Sequence, residues 1–118
     1  MKLAVPNAIL FVIDPESDAS AFPLEHRGLV SHTDSCVCIG TQADVDGETE
    51  VSIGGVEPEG LTRVFDGPVE TPSGTLGVET SEGMSLGLVR GLSRQTRVTV
   101  WVDNTKWPSR IAVVVDRG

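Results

Sequence analysis

The fold is decided by residues 95–115, QTRVTVWVDNTKWPSRIAVVV. In the first eight of these residues, Thr and Val occupy every second position and so lie on one face of a strand. Arg97, Thr99 and Trp101 lie on the other face. This alternation is the pattern of a half-buried strand. The last seven residues are nearly all apolar, as expected for a strand covered on both faces. Asp103 and Asn104 favour a turn between the two runs. The stretch therefore predicts a long antiparallel hairpin.

Outward from this hairpin, turn signals recur about every 8 to 12 residues, which is typical of a β-sandwich or barrel. The other predicted strands lie at residues 8–13, 35–40, 48–53, 61–65, 75–79 and 84–90, with a short extended piece at 69–71. The dipeptide Asp46-Gly47 predicts a hairpin, and Asp66-Gly67-Pro68 predicts a turn. We therefore expect one all-β domain over residues 1–118, an antiparallel β-sandwich of about seven or eight short strands with little or no helix.

The main helical alternative is residues 83–92. Met84, Leu88 and Leu92 have helical spacing, but glycines repeat at the same spacing. Each glycine costs a helix about 1 kcal/mol relative to alanine. The pattern favours a strand here.

The formal net charge is −8 and is unevenly distributed. From Asp14 to Glu82 there are 15 acids and 2 bases, and from Gly83 onward there are 2 acids and 6 bases. This excludes nucleic acid as the main partner, because phosphate binding needs clustered Lys and Arg. An acidic surface attracts a basic protein, although acids also simply keep a small domain soluble. The sequence has no apolar run of about 18 residues and no secretory pattern, so a cytoplasmic location without membrane contact is expected.

The acidic residues between positions 44 and 59 are the candidate binding surface, since they would imitate phosphates toward a basic partner. They are Asp44, Asp46, Glu48, Glu50, Glu57 and Glu59. Trp101 is a candidate aromatic anchor, or else it covers the second side of the sheet. Trp107, before Pro108, is interpreted as a plug of its loop, and the two tryptophans together suggest a sugar platform as an alternative. Asp44 to Glu48 does not have the spacing of an EF-hand.

The cysteines and histidines are weaker candidates for a functional site. Cys36 and Cys38 project to one face of a strand, at a separation that disfavours a mutual disulfide. They are a metal pair, which only His26 and His32 could complete, or a redox pair, or two buried apolar residues. The histidines would be acid–base residues only if they converged in one pocket. No catalytic residue, metal ligand or cofactor is assigned.

Three short motifs resemble the competence protein J family, small bacterial β-sandwich proteins that inhibit a competence-associated nuclease. The motifs are residues 11–14 (FVID), Glu25-His26 followed by Gly28-Leu29, and residues 37–41 (VCIGT) followed by residues 46–48 (DGE). Phe22-Pro23 stands where that family has Trp before Glu-His. The resemblance implies a non-enzymatic, cytoplasmic, protein-binding role.

The function expected from the sequence is an acidic protein-binding module that inhibits a basic nuclease or toxin. The alternatives are a small-ligand or carbohydrate-binding sandwich, and an enzyme built on His26, His32 and Cys36. Self-association, with the acidic segment of one copy against Arg90, Arg94 and Arg97 of another, is a rival to binding of a different protein.

Overall fold

The computed structural model describes residues 1–26 and 28–116, which form two five-stranded sheets packed face to face. The strands in these residues are β1 (Lys2–Leu3), β2 (Ile9–Ile13), β3 (Val30–His32), β4 (Cys36–Gly40), β5 (Thr49–Gly54), β6 (Thr62–Glu70), β7 (Leu76–Thr80), β8 (Ser85–Val89), β9 (Gln95–Val102) and β10 (Arg110–Asp116). Short 3-10 turns at Pro6–Ala8, Ala19–Ala21 and Asp44–Asp46 are the helical structure of the described chain. The predicted all-β sandwich is confirmed. The two shortest strands, β1 and β3, are additional to the prediction.

The first sheet has the strand order β1-β5-β10-β9-β6 and the second has the order β3-β4-β2-β7-β8. Neighbouring strands are antiparallel, with the exception of the parallel pair β5 and β10. The predicted hairpin is confirmed as β9 and β10, in which Val100 lies opposite Val113. It forms the centre of the first sheet.

The core lies between the sheets and is built from alternate residues of the strands. These inward residues include Leu10, Val12, Val37, Ile39, Val51, Leu76, Val78, Val98, Val100, Val102, Ile111, Val113 and Val115. β-branched residues predominate because they pack well on a pleated surface. Burying one such side chain stabilises the fold by about 1.5–3 kcal/mol.

β10 is covered on both faces, as its apolar sequence predicts. Ala112 and Val114 point away from the core and are still only 7% and 8% exposed. The segment 55–61, which connects β5 to the parallel strand β6, returns across this outer face. Glu57 shares one surface pocket with Val114, and Leu61 shares another with Ala112.

The predicted break at Asp66-Gly67-Pro68 is wrong, because β6 continues through it to Glu70. β6 is an edge strand, and Pro68, opposite Arg97, is tolerated there because an edge residue need not donate its N–H to the ladder. A bulge between Arg63 and Phe65 interrupts the pairing earlier in the strand. Both features discourage pairing with another chain.

The predicted Asp46-Gly47 hairpin is also wrong. β4 and β5 belong to different sheets, so residues 41–48 connect the two layers rather than two paired strands. The inward face of β5 carries Thr49 and Val51, which are buried. β8 is confirmed as a strand in place of the helical alternative.

A second layer of apolar packing covers the outer face of the second sheet. Phe22 lies edge-on to Phe11 at 5.0 Å between ring centroids, and Ala21 packs with Cys36 and Cys38. Asp14 fixes the start of this covering segment. Its buried carboxylate accepts hydrogen bonds from the N–H of Glu16 (2.9 Å), the N–H of Ser73 (2.8 Å) and the hydroxyl of Ser73 (2.7 Å).

Candidate functional site

Two loops meet at one end of the sandwich, which we call the loop end and define as residues 41–48 and 103–109. The N–H of Gln42 donates to the carbonyl of Pro108 at 2.9 Å, which ties the loops together. The N–H of Thr41 donates to the carbonyl of Ala8 at 2.9 Å and brings the Pro6–Ala8 turn alongside. Backbone hydrogen bonds therefore hold the two loops and the adjacent turn together at the loop end.

Trp107 is presented to solvent at the loop end, with 67% of its surface exposed. The side chain of Asn104 accepts hydrogen bonds from the N–H groups of Lys106 (2.8 Å) and Trp107 (3.0 Å). Pro108 is buried directly after it. The interpretation of Trp107 as a loop plug is therefore wrong, because Pro108 occupies the interior and a side-chain-capped turn directs the indole outward.

An open cleft of about 460 Å³ lies beside this indole. It is lined by Ala8, His26, Gly28, Leu29, Gly40, Thr41, Thr105, Lys106 and Trp107. The size falls within the range of small-molecule sites, about 300–1,000 Å³. The cleft combines one large aromatic surface with a cationic side chain and an imidazole, which suits an apolar group carrying polar substituents.

The backbone next to the cleft is held in an unfavourable conformation. Asn7 and Ala8 have φ values of 57° and 53°. A non-glycine residue in this left-handed region costs on the order of 1 kcal/mol or more, and such residues cluster at ligand-binding positions. The hydrogen bond from Asn7 to the hydroxyl of Ser81 (2.7 Å) holds the turn.

The acids of the loop 41–48 flank the same end of the molecule. Asp44, Asp46 and Glu48 are exposed, and Val45 between them is 88% exposed. The amide of Gln42 donates to the carbonyl of Glu48 (2.9 Å), so the side chains project from a fixed backbone. Three predicted binding residues therefore lie together at the loop end.

The other predicted acids lie elsewhere. Glu50 is on the outer face of β5, where its carboxylate is 3.1 Å from the guanidinium of Arg110. Glu57 and Glu59 lie in the crossover segment 55–61. They do not extend the acidic loop.

Trp101 is half-buried on the outer face of β9. Its indole N–H donates to the hydroxyl of Thr99 (2.9 Å), and the guanidinium of Arg63 lies 6.0 Å from its ring centre. This arrangement matches the alternative in which Trp101 covers the sheet.

The two histidines do not share a pocket. His26 lines the cleft beside Trp107, whereas the ring of His32 packs against Phe65 at 5.2 Å between centroids. No group of three or more His, Cys, Asp or Glu side chains within residues 1–26 and 28–116 has the proximity to hold a metal ion. The structure thus lacks, in this part of the chain, the convergence that the enzyme hypothesis requires.

Cys36 and Cys38 are buried free thiols on the outer face of the second sheet. The hydrogen bond with Cys38, together with burial, raises the pKa of the Cys36 thiol. Since the thiolate is the reactive form, the raised pKa and the burial make the Cys36 thiol inert, and for Cys38 the burial alone restricts access.

We expect both thiols to react with a soluble disulfide reagent much more slowly in the native protein than in denaturant. Both should react promptly once the protein is unfolded. Absorbance of the released thiolate reports the rate and the number of reactive thiols. Rapid native-state reaction at constant stability would contradict the buried pair.

The candidate-site residue that sequence reasoning misjudged is Trp107. A signal was present, because Asn104 is a residue type that caps turns with its side chain and Pro108 follows. The direction of the indole depends on the burial of Pro108 against the body of the sandwich, which local sequence does not contain.

Within the described residues, no helix is long and apolar enough to cross a membrane. No family model matches this sequence, and neither a curated protein nor a solved structure is significantly similar to it.

Proposed function

We propose that this protein is a non-enzymatic binding module whose loop end recognises a basic protein in the cytoplasm. A nuclease or toxin is the partner class to test first, because of the resemblance of the short motifs to the competence protein J family. The observation that carries the proposal is an exposed tryptophan on a hydrogen-bonded turn, next to a loop with three exposed acids.

The electrostatic support comes from the acids of the loop. No ion pair among the described residues involves Asp44, Asp46 or Glu48. They therefore keep their charge available for a partner. Such rim charges act mainly by steering encounter, since complementary charge raises the association rate.

The support from packing comes from Trp107. Tryptophan is enriched among the few interface residues that dominate binding energy, and these residues are surrounded by polar contacts that exclude water. Because the turn at Asn104 already orders the backbone of Trp107, binding need not pay the full entropy of ordering this loop.

A second candidate function is the binding of a small ligand or carbohydrate in the cleft. The specific observation is its volume of about 460 Å³ beside the indole face of Trp107. Charge-driven association weakens with salt, whereas stacking of a neutral sugar on an indole does not. Salt dependence therefore separates the two candidates.

The test of the first candidate is the triple variant Asp44→Asn, Asp46→Asn and Glu48→Gln. Its free energy of unfolding should stay within roughly 0.5 kcal/mol of the parent, because the three side chains are exposed. Association with the partner should slow, and the decrease in the association rate between about 0.01 M and 0.15 M salt should flatten. Capture by the immobilised protein, followed by surface plasmon resonance with the captured protein, measures both quantities.

The matched control changes the same number of charges at the opposite end: Glu16→Gln, Asp34→Asn and Glu70→Gln, all exposed positions. It should affect association much less. Equal slowing by both triples would show that net charge acts, without a localised surface. Unchanged partner binding by the loop-end triple at low salt would exclude the acidic loop as the interface. Loss of a dimer in analytical ultracentrifugation would indicate self-association.

A further inference from the structure

A separate pocket of about 300 Å³ lies on the outer face of the first sheet, away from the loop end. The crossover segment 55–61 supplies one wall, through Gly55 and Glu57. Val114 and Thr99 lie on the strands β10 and β9 beneath it. The pocket thus exists because the parallel connection from β5 to β6 must return across this face.

One of the two arginines that line this pocket is paired with a neighbouring acid. Arg97 donates twice to the carboxylate of Asp66, at 2.9 and 2.8 Å. This hydrogen-bonded pair raises the pKa of Arg97, and the nearby carboxylates of Asp116 and Glu57 raise it further. Arg97 therefore lines the pocket with its guanidinium already paired to Asp66.

Arg63 makes weaker contacts with its neighbours than Arg97 does. Its guanidinium is 3.6 Å from the carboxylate of Asp66 and lies over the Trp101 ring, 6.0 Å from the ring centre. The side chain of Arg63 is 52% exposed. The guanidinium of Arg63 is therefore accessible to a ligand at one side of the pocket. Its planar N–H groups match the geometry of a carboxylate.

Acidic groups line the same pocket. Glu57 takes part in no ion pair among the described residues, and Asp116 lines the pocket as well. The lining contains two acids and two bases, and with Arg97 paired to Asp66 the groups that face a ligand still include charges of both signs, Glu57 and Arg63. A simple cation or anion would be attracted by one group and repelled by another, whereas a ligand with both charges satisfies both.

We propose that this pocket binds a zwitterion, specifically an α-amino acid with a small apolar side chain. The carboxylate of the ligand pairs with Arg63, its ammonium pairs with Glu57, and its side chain lies on Val114. The volume is at the lower limit for small-molecule sites, which suits a ligand of this size. The proposal does not depend on the function assigned to the loop end.

The probe is L-valine, titrated into ¹⁵N-labelled protein. The chain has two Trp residues and therefore two indole N–H signals. The Trp101 signal, whose N–H is bonded to the pocket residue Thr99, should shift on binding, while the Trp107 signal at the loop end should not. Isobutylamine has the ammonium without the carboxylate, and isovalerate has the carboxylate without the ammonium. Each should bind at least about tenfold more weakly than valine, because one charged hydrogen bond is lost.

The variants Glu57→Gln and Arg63→Gln should each weaken valine binding by about tenfold or more. The controls are Glu59→Gln, in the same crossover, and Arg90→Gln, an exposed base outside the pocket, and both should bind as the parent does. The inference is overturned if valine causes no saturable shift of the Trp101 signal up to its solubility limit. It is equally overturned if isobutylamine or isovalerate binds as well as valine, or if Glu59→Gln weakens binding as much as Glu57→Gln.

Discussion

Replacing Asp14 with alanine should lower the free energy of unfolding by about 2–4 kcal/mol, and the melting temperature by roughly 10–20 °C for a domain of this size. The carboxylate accepts three hydrogen bonds, two from Ser73 and one from the N–H of Glu16. The variant leaves these donors without their acceptor in a region where the side chain of Asp14 is fully buried. Thermal and urea unfolding followed by circular dichroism measures the loss.

The effect should depend on pH. Burial alone would raise the pKa of Asp14, but the hydrogen bonds from Ser73 and Glu16 outweigh it and hold the pKa below its ordinary value. A carboxyl whose pKa is lowered by folding stabilises the protein above its unfolded pKa, about 3.9, and loses that contribution as pH falls through the folded pKa. The stability difference between parent and variant should therefore be constant at neutral pH and shrink below about pH 4.

The control is Asp46→Ala, which removes an exposed acid and should change stability by no more than roughly 0.5 kcal/mol. Asp14→Asn keeps one acceptor oxygen but places an amide NH₂ toward one of the donors, so it should also be destabilising. A loss for Asp14→Ala no larger than that of Asp46→Ala would show that the hydrogen bonds contribute little to stability.

The parts of the fold that the sequence predicts are those in which local pattern and final environment agree. β9 alternates because one face meets the core and the other meets solvent or the crossover, and β10 is uniformly apolar because segment 55–61 covers its outer face. β-branched residues and turn residues reinforce the same interpretation. Because of this agreement, the hairpin of β9 and β10 can be predicted without tertiary information.

The errors occur where tertiary position overrides local signals. Pro68 normally ends a strand, but at the edge of a sheet its missing N–H costs nothing. Asp46-Gly47 normally turns a hairpin, but here the chain passes between the two layers. Whether a strand is at an edge, and which sheet it joins, depends on long-range pairing, and a single local window does not contain that information.

The same distinction applies to the candidate sites. The exposed acids at positions 44, 46 and 48 are predictable, since charged residues in a turn remain in water. The pocket lined by Glu57 and Arg63 is not, because it forms only where the crossover returns over β9 and β10. Trp107 is an intermediate case, in which the turn chemistry is visible in the sequence and the outward direction of the ring is not.

The largest loss of affinity that the proposed function predicts is for the substitution of Trp107. The variant Trp107→Ala should weaken binding of the partner by about 30-fold or more, as expected when a central aromatic anchor is removed. The free energy of unfolding should change little, because two thirds of the side chain is exposed and the turn is held by Asn104 and Pro108. Surface plasmon resonance with the captured partner, together with thermal unfolding, measures both.

Comparison with two other variants locates the effect. Trp107→Phe retains an aromatic surface and should lose less affinity than Trp107→Ala, while Trp101→Phe, on the outer face of β9, should bind normally. The loss for Trp107→Ala should appear in the dissociation rate, whereas the loop-end acid triple should act on the association rate. If Trp107→Ala binds the partner with unchanged affinity but loses affinity for a neutral sugar, the cleft is a carbohydrate site and the protein-binding proposal fails. If it loses neither, the exposed indole is not an anchor, because an anchor that is removed without effect has no part in the interface.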